Sequence, residues 1–117
     1  ADNGSEQAKT ARGLLSAGTL VVSATVLLET EWVLRSRFKL DRAVRSSLLE
    51  GLLKLRTVEV EGRSVVARAI SAFASGMDFA DALHLAGSSD CDELVTFDRD
   101  FARRAQDAPD AIPVRLL

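Results

Sequence analysis

The stretch DFADALHLAGSSDCDELVTFDRDF, from Asp78 to Phe101, holds the densest set of residues able to bind a cation. It reads as a helix opened by acids, a turn, a short apolar strand from Glu93 to Phe97, and a second pair of acids where that strand ends. Asp81 falls one turn inside the helix that Asp78 caps. Asp98 and Asp100 fall at the carboxyl end of the strand, the edge where open parallel sheets place their ligands. Each acid also has a purely structural reading. Asp78 and Asp98 suit helix caps, and Asp81 and Asp100 suit the positive first turn of a helix. Taken together, three or four carboxylates at one end of a sheet repel one another unless a cation joins them. Mg²⁺ or Mn²⁺ fits such an oxygen-only set, and no His/Cys set is present for zinc. His84, one turn after Asp81, is either a surface residue or a substrate contact.

A fifth acid stands apart. Glu29 has Val26, Trp32 and Val33 at helical spacing and no cation within its helix that offsets it, so it is expected among apolar neighbours, where it needs a metal or a hydrogen bond. Glu31, with Arg35 four residues on, is expected as a solvated surface pair. Arg35, Arg37, Lys39, Arg42 and Arg45 then form a basic run, relieved by Asp41. It reads either as the water-facing ends of two helices or as a contact for phosphates or an acidic partner. Phe38 is its sole aromatic, so base stacking on a single strand is not indicated.

The composition limits the host of these residues. A chain of 117 residues, 47% apolar, can bury one core and is read as one domain, 1–117. A net charge of −2 and pI near 5.4 argue against coating nucleic acid through bulk charge. No apolar run approaches the roughly 20 residues of a membrane span. The single cysteine, Cys91, fits a reducing, cytoplasmic setting and is expected as a buried thiol.

The elements alternate. Helices are expected from Gln7 to Ala17 behind a Ser5 cap, Ala24 to Phe38 behind Ser23, Arg42 to Leu55 behind Asp41, Ser64 to Ser75, and Arg99 to Gln106. Short strands are expected at Thr19–Val22, Thr57–Val60, Glu93–Phe97 and Ile112–Leu116. The second of these helices from the end stops at Gly76, and Arg42–Leu55 turns Val44, Leu48, Leu49, Leu52 and Leu53 inward. This order predicts an α/β fold of βα units, a mostly parallel sheet covered by helices.

Three segments, VSATVLLETEWVLRSRF, DFADALHLA and LVTFDRDF, in this order, resemble the PIN domain, most closely the VapC-type toxins of bacterial toxin–antitoxin systems. The resemblance runs through almost the whole chain. It implies an α/β/α sandwich with a short, mostly parallel central sheet. It also implies an Mg²⁺- or Mn²⁺-dependent ribonuclease whose catalytic and metal-holding acids match Glu29, Asp81 and Asp98, with Asp100 as an additional ligand. Thr96 matches a hydroxyl position beside the metal, and Arg35, Arg37 and Lys39 are the candidates to position RNA backbone. The implied partners are RNA, a small VapB-like antitoxin and a second copy of the chain.

One departure bears on activity. The family opens with a central strand ending in an Asp, and no apolar strand leads into Asp2 or Asn3, so a preceding piece of about a dozen residues is expected. Its absence motivates the alternative of a catalytically silent PIN-like module that binds an antitoxin or itself. A receiver-type α/β domain also places acids at strand ends, but it calls for a late Lys, and none follows Lys54.

Overall fold

The computed structural model describes residues 6, 7, 9, 10, 20–108 and 111–117. Residues 6, 7, 9 and 10 are helical; the Ser5 cap, Asp2, Asn3 and the remainder of the first expected helix lie outside the described residues. The order that follows is β1 (Leu20–Val22), α1 (Ala24–Ser36), α2 (Arg42–Lys54), β2 (Val58–Val60), α3 (Arg63–Ala74), α4 (Phe79–Gly87), β3 (Leu94–Thr96), α5 (Arg99–Ala105) and β4 (Val114–Leu116). The fold is α/β, with helices flanking short parallel sheets. In place of one continuous sheet, the described strands form two parallel pairs. Leu20 stands opposite Val58 in one, and Leu94 opposite Val114 in the other.

Local chemistry accounts for the helix ends. Ser23, Asp41, Asp78 and Asp98 each accept a hydrogen bond from a first-turn backbone N–H, satisfying a donor that the helix itself leaves open. At the other end of α3, Gly76 takes φ 123°, a backbone conformation that side chains rarely adopt, and the chain turns there into Asp78. In α3, Val66, Ala69, Ile70 and Phe73 recur at 3.6-residue spacing and all are buried. Phe73 meets Phe79 of α4 at 5.5 Å between ring centroids. A second cluster, Leu85, Phe101 and Ala105, seats α5 on α4, and Met77 packs against both clusters. Among the described residues no helix is long and apolar enough to cross a membrane.

The inner faces of α1 and α2 differ from expectation in one linked respect. Glu31 is not solvated: it is 4% exposed and sits one turn after the fully buried Leu27. Its Oε2 lies 3.0 Å from Arg35 Nε and 3.1 Å from Nε of the buried Arg45. The Arg45 contact is one of charge, off the hydrogen-bond angle, while Arg45 Nη1 donates to the Leu40 carbonyl at 2.6 Å. Arg42 donates to the carbonyls of Phe73 and Met77 and lies 4.9 Å above the Phe73 ring. Arg42, half-buried, and Arg45, buried, therefore tie α2 to its neighbours. With Arg45, Ser46 and Leu49 turned inward, Val44 and Leu48 point outward, contrary to the apolar pattern.

Glu29, by contrast, is exposed. Two of the three apolar neighbours expected to surround it are themselves in water, Val26 47% and Trp32 54% exposed, and Val33 is half-buried. Cys91 is also exposed rather than buried.

Candidate active site at the carboxyl edge of β3

Helix α4 leads into β3 and α5 leads out of it, so the two helices meet the strand from opposite directions. The start of α5 follows directly on the carboxyl end of β3, and the starts of both helices are acidic, with Asp78 and Asp81 in α4 and Asp98 and Asp100 in α5. Thr96 ends the strand. Its Oγ1 accepts a hydrogen bond from the Asp98 N–H at 3.0 Å, holding the chain as it leaves the sheet. Asp98 Oδ1 in turn accepts from the Phe101 N–H at 3.0 Å and starts α5. The cap uses one oxygen of this exposed carboxylate. Asp100 follows in the first turn and pairs with Arg103 at 3.2 Å in an open, local contact.

Asp81 is held differently. Its backbone N–H donates to Asp78 in the cap of α4, and its side chain is only 13% exposed. Arg104, from the last turn of α5, donates to Asp81 Oδ2 through both Nε at 2.9 Å and Nη2 at 2.6 Å. The hydrogen bonds that Arg104 donates to Asp81 hold the guanidinium pKa above its ordinary value. Burial opposes that effect as the next-largest cause, and the charges of Asp81, Asp98 and Asp100 add to it. Asp81 bonds Arg104 directly, whereas Asp98 and Asp100 act on it through charge alone. The sequence shows no sign of this: Asp81 and Arg104 are 23 residues apart, and the nearer Asp100 offers Arg104 an ordinary four-residue spacing.

The other expected site residues stand around this group. Glu29 lies on α1, which packs against α4, but it is not among the charges acting on Arg104. Arg35, Arg37 and Lys39 gather at the far end of α1. Arg37 is about 12 Å along the helix axis from Glu29 at 1.5 Å per residue. Arg35 is committed to Glu31, whereas Arg37 and Lys39 are exposed, Lys39 with φ 56°. His84 is exposed in the last turn of α4.

The donor set of Asp81, Asp98, Asp100 and the Thr96 hydroxyl is all oxygen, which suits a hard divalent cation. Among the described residues no three His, Cys, Asp or Glu side chains converge closely enough to hold one. The chemistry of the donors fits a metal, while the cation in contact with Asp81 is a guanidinium.

Comparison with curated proteins found no match, and comparison with solved structures found none. The PIN domain family model matches residues 2–107, which span every acid described above. With that match running over most of its length, the chain belongs to the PIN domain family, whose members are generally nucleases.

Proposed function

We propose that the chain is an Mg²⁺- or Mn²⁺-dependent endoribonuclease of the VapC type, with Glu29, Asp81 and Asp98 as its principal metal-holding acids and Asp100 as an additional one. The observation that carries this reading is the order of the acids on their elements, Asp81 in the first turn of α4 and Asp98 directly after β3, within the stretch that the PIN domain family model matches. When bound, a divalent ion acidifies water and stabilises charge on a phosphodiester. The chain's own residues position the reacting groups. Capping α5 orients the Asp98 carboxylate, and Thr96 fixes the backbone that carries it. Arg37, about 12 Å from Glu29 along the axis of α1, and Lys39, just past the end of that helix, contact flanking phosphates of the RNA and not the scissile one. Arg35, engaged with Glu31, assists from the same helix end. A VapB-like antitoxin and a second copy of the chain are the proposed protein partners, in a cytoplasmic setting.

The experiment is cleavage of a mixed RNA substrate with Mg²⁺ or Mn²⁺, with and without chelator, by the wild type and Asp98→Asn. Asn caps a helix about as well as Asp, so this variant keeps the fold and loses only the charge. Metal-dependent cleavage that Asp98→Asn reduces by at least about 10-fold is expected. Equal cleavage by both would leave Asp98 as a cap alone. The pairing of Asp81 with Arg104 favours a second reading, a silent module that binds partners through this face. That reading predicts no cleavage with either metal.

A further inference from the structure

The nuclease reading leaves Arg104 without a task, although it bonds one of the proposed metal-holding acids. Its neighbour Arg103 takes the local acid, Asp100, in a contact open to water on both sides. Arg104 instead crosses to α4 and places two donors on one oxygen of Asp81, a carboxylate far less exposed than Asp100. A divalent ion bound to that oxygen would stand within a few ångströms of the guanidinium, and two like charges so close repel strongly wherever water is partly excluded. The two cations therefore compete for Asp81.

The surroundings of Arg104 also offer it another position. Its side chain borders a cavity of about 250 Å³, lined as well by Ser75, Gly76, Met77 and Asp107. Asp107 supplies a second carboxylate three residues along the chain. A guanidinium released from Asp81 thus has both space and a partner without unfolding α5.

We propose that Arg104 is a built-in counter-cation that closes Asp81 to metal, and that a divalent ion enters the site by displacing it. The inference rests on the metal-dependent reading above. Arg104 is then a positioning residue that sets the metal concentration at which the site fills. The apparent affinity for metal is lowered by the fraction of molecules in which Asp81 is free.

The test is Mn²⁺ binding to the full chain, followed by the paramagnetic signal of free Mn²⁺, for wild type, Arg104→Gln and Arg103→Gln. Arg103→Gln removes the same charge from the same helical turn without touching Asp81, so it measures the through-space effect together with the release of the exposed Asp100. Arg104→Gln is expected to bind Mn²⁺ about 10-fold more tightly than wild type, with Arg103→Gln within about 2-fold of it. If Arg104→Gln does not fold by circular dichroism, Arg104→Lys takes its place. It keeps the charge but loses the two-donor fork, and is expected to bind Mn²⁺ more tightly than wild type by a smaller factor. Equal shifts in the Arg104 and Arg103 variants, or weaker binding by the Arg104 variant, would overturn the proposal while wild-type binding left the nuclease reading standing. No Mn²⁺ binding by either wild type or Arg104→Gln would overturn both.

Discussion

Asp81→Asn is expected to lower the rate of RNA cleavage by at least about 100-fold in saturating Mn²⁺, with the folded state retained. Loss of partners that merely orient a metal ligand typically costs about 10- to 100-fold, and a ligand itself should cost no less. Asn keeps the size and one carbonyl oxygen of the side chain but removes the charge that balances a cation. The fold should persist, because the backbone N–H at position 81 still donates to Asp78 and Arg104 remains open to water. Single-turnover cleavage at several Mn²⁺ concentrations, with circular dichroism on the same preparations, checks both statements. If extra metal restores the rate, the loss lies in binding the ion; if it does not, the charge also acts after the ion is bound.

The largest expected effect on stability belongs to a residue away from this site. Glu31→Gln should destabilise the protein by about 3 kcal/mol, at the low end for a broken buried pair because Arg35 is half in water. The cost falls mainly on Arg45. Its side chain is 10% exposed, and its Nε, without a hydrogen bond, relies on the Glu31 charge 3.1 Å away. For a chain of this size the melting temperature should drop by about 12 °C. Glu29→Gln on the same helix serves as the contrast, since Glu29 is exposed, and should change the melting temperature by less than about 2 °C. A thermal scan of the two variants reads the difference directly.

That contrast marks where the sequence is and is not legible. Glu29 and Glu31 are two residues apart on one helix, and local neighbours point to the wrong one as buried. Arg35 at four residues makes Glu31 look like a surface acid, whereas Arg45, 14 positions on, arrives from α2 and decides its burial. Val44 and Leu48 lose the inward face of α2 for the same reason. Caps and periodicity, which depend on a few adjacent residues, are legible: Ser23, Asp41, Asp78 and Asp98 all cap where expected. The α3 face is equally plain. Of the site, the placement of Asp81, Asp98 and Thr96 on their elements follows from the order of helix, strand and helix. Arg104 does not, because its partner is fixed by how α5 packs on α4.

The central claim is that acids from α4 and α5 form one functional unit, and a double-mutant cycle on cleavage tests it most directly. Single-turnover rates with Mn²⁺ would be measured for wild type, Asp81→Asn, Asp98→Asn and the pair together. Residues that serve one bound ion are grossly non-additive, so the double variant should be no slower than the worse single one, to within about 3-fold. If the two losses multiply, or if neither single variant loses activity, Asp81 and Asp98 do not share a task and the account of a common site fails.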